Sequence, residues 1–157
     1  DEVAALLYEG PWVAERAAAI GPFLSVHANS LHPVVASIIA GAERWSAVDA
    51  FQGMYRLAKL TREASGLFDT VDILAVPTAP IHVRIESMLA DPIILNSRLG
   101  RYTNFVNLLD WSAIAVPAGL RDDALPFGIT FIGPAWHDLL LCEWASRWQA
   151  RKTPPLA

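Results

Sequence analysis

The sequence is short of the residues on which disulfides, metal sites and nucleophilic catalysis depend. Cys142 is its one cysteine, so the chain forms no internal disulfide, and a reducing, cytoplasmic setting suits it. The four histidines show no metal-ligand spacing with cysteine, aspartate or glutamate neighbours, which leaves no metal site. Lysine occurs only twice, and Lys59 has no nearby serine to activate. The residues therefore indicate no self-contained active site.

Basic stripes and long apolar runs are missing too. The 12 lysines and arginines are outnumbered by 16 acidic residues, so no basic surface can neutralise phosphates, and nucleic acid is excluded as a partner. No run approaches the roughly 18 apolar residues of a membrane-spanning helix, which argues against a membrane partner. The chain is nevertheless 54% hydrophobic. We therefore expect a fragment of a larger protein, and the start at Asp1 within a helical pattern favours the same expectation.

Three short apolar runs predict buried strands. Ser112–Val116 and Phe127–Ile132 are rich in β-branched and aromatic residues and are bounded by proline and glycine. Val71–Val76 is also predicted to be a strand and is ended by Pro77. Strands without polar alternation need cover on both faces, which the helical segments of the chain can supply. The pattern indicates one α/β domain over residues 1–152, followed by a Pro-containing linker or tail over 153–157.

Helical patterns surround these strands. The longest, from Ala47 to about Leu67, is predicted to begin at Ser46 as its N-cap. Its apolar stripe consists of Val48, Phe51, Tyr55, Ala58 and Arg62, widened by Met54, Leu57 and Leu60. Gly21–His32 carries few periodic signals and is predicted to be a loop. The other predicted helical segments are Asp1–Ile20 with a break at Gly10-Pro11, Pro33–Gly41, and Asp138–Arg151 with Leu141, Cys142, Ala145 and Trp148 on its apolar side.

Two groups of polar residues have the chemistry of ligand recognition. Tyr8 and Arg16 flank the Gly10-Pro11 break, so a phenol hydroxyl and a guanidinium could meet there and hold a small carboxylate. The alternative is a surface arginine and a half-buried tyrosine that bind nothing. The second group precedes the strands, and either loop hydrogen bonding or ligand contact explains it. It consists of Asn96, Arg98, Tyr102, Thr103 and Asn104.

Five segments that together span nearly the entire chain resemble the C-terminal half of the amidase domain in allophanate hydrolases, which belong to the amidase signature family. The segments are LLYEGPWVAER, SAVDAFQGMYRLAKL, VDILAVPTAP, ADPIILNSRLGRYTNFVNLLDWSAIAVPAG and LPFGITFIGPAW. The resemblance to the amidase signature family depends on the series TNFVN, AIAVPAG and LPFGITFIGP. The resemblance to allophanate hydrolases in particular depends on LYEGPWVAER and LNSRLGRYTNFVNLLD. The resemblance implies a mixed β-sheet flanked by helices on both faces, of which this chain is the C-terminal portion.

The resemblance also implies roles for particular residues. The family works through a Ser–cis-Ser–Lys triad carried by the upstream half, so no catalytic residue is assigned here, and Lys59 does not match the triad lysine. Allophanate hydrolases hold the terminal carboxylate of their substrate with a tyrosine and an arginine eight residues later. Tyr8 and Arg16 match that spacing and are the implied substrate-binding residues. Pro77, Thr78 and Asn104 are further candidates for lining the pocket.

The implied activity is hydrolysis of a C–N amide bond of allophanate in urea degradation, without a metal or organic cofactor in this half. The implied partners are allophanate, the missing N-terminal half of the amidase domain and a second copy in a homodimer. The fragment is expected to be inactive alone. Two alternatives remain open, namely the same half of a different signature amidase and a non-catalytic binding or assembly module with this fold.

Overall fold

The computed structural model describes residues 2–152, except for the side chains of Tyr8, Ala28 and Lys152. The predicted tail over 153–157 lies outside the described residues. The helices are α1 (Glu2–Tyr8), α2 (Val13–His27), α3 (Pro33–Ala40), α4 (Ala47–Ser65), α5 (Ile85–Ala90), α6 (Pro92–Leu99), α7 (Asn104–Leu108) and α8 (Asp138–Lys152). The strands are β1 (Leu74–Pro77), β2 (Ser112–Leu120) and β3 (Pro126–Gly133).

The three described strands form one antiparallel sheet in the order β1-β3-β2. All three strands predicted from apolar runs are present. The first begins at Leu74 rather than Val71, because a 3₁₀ turn over Gly66–Asp69 follows α4. The amides of Thr70 and Val71 then both donate to the carbonyl of Leu67, which keeps these residues out of the sheet.

Helix α8 packs on one face of the sheet and forms the core with it. Val116, Phe131, Leu141 and Ala145 are buried together there. The indole of Trp148 lies edge-on to Phe131 at 5.9 Å between centroids, and its Nε1 donates to the carbonyl of Pro117 at 2.9 Å. The helix predicted over Asp138–Arg151 is thus confirmed. Its Cys142 is exposed rather than on the apolar side, because it follows Leu141 by one residue and turns away from the sheet.

The α/β class is confirmed, with a small antiparallel sheet. The three strands described in residues 2–152 pair antiparallel throughout, so they contribute no parallel pair to the mixed sheet that the family implies. On the face opposite α8, Ala113 and Ala115 are exposed. Thr78 and Thr130 share a hydrogen bond of 2.9 Å on that face, which ties the end of β1 to β3.

The loop prediction for Gly21–His32 is wrong, because α2 continues to His27. The rings of Phe23 and His27 lie four residues apart and contact each other with centroids 4.8 Å apart, as neighbours on a helix surface do. The hydroxyl of Ser25 donates to the carbonyl of Pro22 at 2.8 Å. These local contacts support the last turns of the helix, although Pro22 lies inside it.

Helix α4 begins as predicted but buries a different face. The expected stripe is turned to solvent, with Phe51 at 56% and Tyr55 at 72% exposure. Gly53 is buried instead, and Pro11 packs against it so closely that an added Cβ would come within 2.6 Å of the proline Cγ. The helix therefore packs against Pro11, in the turn between α1 and α2, with the side that carries Gly53. A larger side chain at position 53 would keep the proline away.

The N-terminus of α4 offers a direct test of local stability. Ser46 Oγ accepts from the amide of Asp49 at 3.2 Å, and the Asp49 carboxylate accepts from the Ser46 amide at 2.9 Å. We expect Ser46→Ala to lower the free energy of unfolding by about 1 kcal/mol at pH 7. Urea denaturation of the chain measures this. Ser65→Ala at the other end of α4 is the matched control, and an equal loss there would contradict the capping role.

Candidate functional site

The turn between α1 and α2, called the corner below, depends on a close backbone contact that leaves no room for a side chain at position 10. An added Cβ on Gly10 would come within 2.6 Å of the Leu6 carbonyl oxygen, so only glycine lets the chain turn there. Pro11, which is buried, then rests on Gly53 of α4. The sequence Gly-Pro thus anchors a bend whose two arms carry the residues predicted to bind substrate.

Tyr8 and Arg16 lie on either side of this corner. Tyr8 is the last residue of α1, and Arg16 is the fourth residue of α2. The Arg16 side chain is exposed, so its guanidinium is accessible to a ligand. The phenol of Tyr8 is outside the described side chains. The carboxylate-binding pair therefore stays a prediction.

Two cavities flank the end of α1. The first, the α4 cavity, has a volume of about 350 Å³ and lies between the corner and α4. The second, the α7 cavity, has about 360 Å³ and lies between α1 and the α6–α7 segment. Ala5 and Glu9 line both of them. The α4 cavity also contains Pro11, Trp45, Asp49, Gln52 and Arg56, and the α7 cavity contains Ala4, Ser97, Arg98, Arg101 and Asn104.

Each cavity has in its wall a residue with a buried polar atom that lacks a partner. Within residues 2–152, the buried side-chain nitrogen and oxygen atoms without a hydrogen bond are Trp45 Nε1 and Asn104 Oδ1. Trp45 lines the α4 cavity, and the guanidinium of Arg44 lies over its ring at 5.0 Å. Asn104 lines the α7 cavity. Buried polar groups are almost always satisfied, so an orphaned donor or acceptor calls for a partner that the described residues do not supply.

The α4 cavity contains a negative charge, the carboxylate of Asp49, which takes part in the capping box at the start of α4. The Ser46 hydroxyl and amide both hydrogen-bond to the Asp49 carboxylate, and these bonds lower the pKa of Asp49 below its usual value. A carboxyl whose folded pKa is lowered stabilises the fold at neutral pH, and this contribution is lost as the pH falls through the lowered value. The cavity therefore keeps a carboxylate in its wall under ordinary conditions.

The second predicted polar group is divided by the structure. Arg98 and Asn104 line the α7 cavity, whereas Asn96 is exposed on α6. Thr78 lies elsewhere, in a largely apolar cavity of about 620 Å³ that is lined by β2, β3 and the segment after β1, including His82. Sequence reasoning missed Glu9 and Trp45, since a glutamate next to Tyr8 and a lone tryptophan carry no pattern. Asn104 and Thr78 thus line different cavities.

The described part of the chain shows no metal-ligand cluster, no catalytic arrangement around Lys59 and no membrane-spanning helix. No three histidine, cysteine, aspartate or glutamate side chains of residues 2–152 are grouped as metal ligands would be. Lys59 is exposed on α4 and pairs with Glu63 at 3.7 Å, four residues away, as surface lysines commonly do. None of the described helices combines the length and apolar character needed to cross a bilayer.

Comparison with known proteins decides the family. Residues 24–142 match the family model for Amidase. The chain belongs to the amidase family. The resemblance predicted from the motifs is thereby confirmed at the level of the family, and the matched range covers the segment from α2 into α8, including all three strands.

Individual amidase relatives agree with this assignment along nearly the whole chain. Urea amidolyase of Saccharomyces cerevisiae is 48% identical over 94% of this chain, which spans 8% of that protein. The structure of Kluyveromyces lactis allophanate hydrolase superposes with a TM-score of 0.91 at 42% identity, covering 98% of this chain and 26% of that one. A more distant amidase relative, 2-amino-5-chloromuconic acid deaminase of Comamonas testosteroni, is 31% identical over 77% of this chain and 27% of that protein.

Proposed function

We propose that the chain is the substrate-binding part of an amidase-family hydrolase that cleaves a C–N bond of allophanate. The observation that carries this proposal is the similarity to allophanate hydrolase and urea amidolyase, which extends over almost every residue of the chain. Similarity to the more distant deaminase is weaker and covers less of it. The serine that attacks the amide, with its activating serine and lysine, would belong to the rest of the amidase domain.

The proposed role of this part is to position the substrate. Arg16 would form a charge-assisted pair with the terminal carboxylate of allophanate, and the Tyr8 hydroxyl would donate a second hydrogen bond. Fixing the carboxylate at the α1–α2 corner would set the distant amide in front of the nucleophile, which removes the cost of orienting it. An amide without the carboxylate would leave the arginine unpaired and would be selected against.

The assembly and location of the parent protein belong to the same proposal. We expect a cytoplasmic homodimer that includes the N-terminal half of the amidase domain. The exposed apolar stripe of α4, with Phe51 and Tyr55, supports an assembly in which this surface is covered. The exposed thiol of Cys142 suits a reducing compartment.

Ammonia release tests the function directly. The complete gene product that contains this chain is expected to hydrolyse allophanate and to act poorly on acetamide, which lacks the carboxylate. The 157-residue chain alone is expected to be inactive. Failure of the complete product to hydrolyse allophanate would overturn the proposed substrate. Activity of the isolated chain would instead show that the catalytic groups lie within it.

A further inference from the structure

The α7 cavity contains features that the carboxylate pair at the corner does not use. It is bounded by Ala4 on α1, by Glu9 just after that helix, by Arg98 on α6 and by Asn104 at the start of α7. Asn104 is half-buried, and its Oδ1 is buried without a hydrogen-bond partner among the described residues. An amide oxygen accepts hydrogen bonds and cannot donate them, so the missing partner is an N–H or O–H group.

The position of this cavity connects it with the proposed substrate site. Ala5 and Glu9 line both this cavity and the α4 cavity, which also contains Gly10 and Pro11 of the α1–α2 corner. Ala4 lines the α7 cavity. The α7 cavity therefore lies next to the α1–α2 corner and is bordered by Arg98 and Asn104, although these residues are distant in sequence.

The chemistry of the cavity matches the part of allophanate that the corner leaves unbound. Allophanate carries a carboxylate at one end and urea N–H groups at the other. The Asn104 oxygen is an acceptor for such an N–H. The terminal torsion of asparagine has a broad energy minimum, so the side chain can turn its amide toward a ligand in the cavity.

We propose that Asn104 is a substrate-binding residue whose Oδ1 accepts a hydrogen bond from a urea N–H of the substrate. This inference rests on the proposed function and extends it from the carboxylate to the urea end. Asn104 would fix the orientation of the substrate about the axis that the Tyr8–Arg16 pair leaves free. A wrongly oriented substrate would leave the buried oxygen without its partner, which adds selectivity.

Two substitutions at this position separate substrate binding from a structural role. In the complete gene product, we expect Asn104→Leu to raise KM about tenfold for allophanate, the loss that corresponds to one hydrogen bond, with kcat little changed. Biuret has the same urea N–H groups but no carboxylate, so its KM, or its inhibition constant, should rise equally. Asn104→Asp keeps an acceptor and adds a negative charge. It should weaken allophanate binding about tenfold and leave biuret binding near the wild-type value.

Asn29→Leu, on the exposed turn after α2, is the matched control and should change neither constant. A purely structural asparagine would lower the melting temperature and affect both ligands alike in both variants, which would overturn the inference. Unchanged KM values in both variants would overturn it as well and would indicate that a water satisfies the oxygen. If Asn104→Leu does not fold, the allophanate-to-biuret ratio of Asn104→Asp decides alone. If the unmutated gene product does not hydrolyse allophanate at all, the proposed function is contradicted instead.

Discussion

Arg16→Ala is expected to lower kcat/KM for allophanate about 100-fold in the complete gene product, the loss typical of a charge-assisted hydrogen bond to a bound carboxylate. For biuret, which has no carboxylate, kcat/KM should stay within about twofold, because the guanidinium contributes nothing to its binding. The Arg16 side chain is exposed in α2, so its removal should not disturb packing. Steady-state kinetics on the two substrates measure the ratio.

A matched control separates loss of this contact from loss of net charge. Arg151→Ala removes the same group from an exposed position on α8 and should leave both substrates unaffected. Arg16→Lys should recover activity only in part, since an ammonium lacks the planar fork that pairs with both carboxylate oxygens. Equal activity of wild type and Arg16→Ala on allophanate would remove the carboxylate pair from the proposal.

The elements that sequence could predict are those whose determinants are local. The runs at Ser112–Val116 and Phe127–Ile132 become β2 and β3, because β-branched residues bounded by proline and glycine leave few other choices. Ser46 begins α4 because its hydroxyl satisfies a helix N–H three residues on. In each case the residues that decide the structure are neighbours in the chain.

What sequence could not predict depends on distant residues. The amphipathic pattern of α4 indicates Phe51 and Tyr55 as its buried face, yet Pro11 packs on Gly53 and turns that stripe to solvent. From the sequence alone, a glycine within a helix indicates only a small loss of helix stability. That Gly53 allows another segment to pack closely is visible only in the folded structure.

The candidate site shows the same division. Tyr8 and Arg16 can be predicted from the sequence because they lie eight residues apart in a segment that resembles a known family. In the sequence Asn104 is one polar residue among several, and only the fold places it in one cavity with Ala4 and Glu9. Its orphaned oxygen is a property of burial, and no composition or spacing reports it. The urea end of the proposed substrate site therefore depended on the structure.

The largest loss of stability is expected from Leu141→Ala in the contact between α8 and the sheet. Leu141 is 1% exposed and belongs to the core with Val116 and Phe131, so truncation removes buried methyl groups and leaves a cavity. The cost should be about 3 kcal/mol, a large fraction of the stability of a domain this size. Urea denaturation should show a lower midpoint with an unchanged slope.

Leu139→Ala is the matched control for this loss, because it makes the same chemical change two residues earlier on α8, at a side chain that is 83% exposed. It should change stability by less than about 0.5 kcal/mol, as surface substitutions generally do. The difference between the two variants measures packing alone, since both remove the same atoms from the same helix. Equal losses would mean that α8 does not dock on the sheet by the Leu141 face. That result would also remove the Trp148–Pro117 hydrogen bond from the account of how β2 is held, because both contacts lie on one side of the helix.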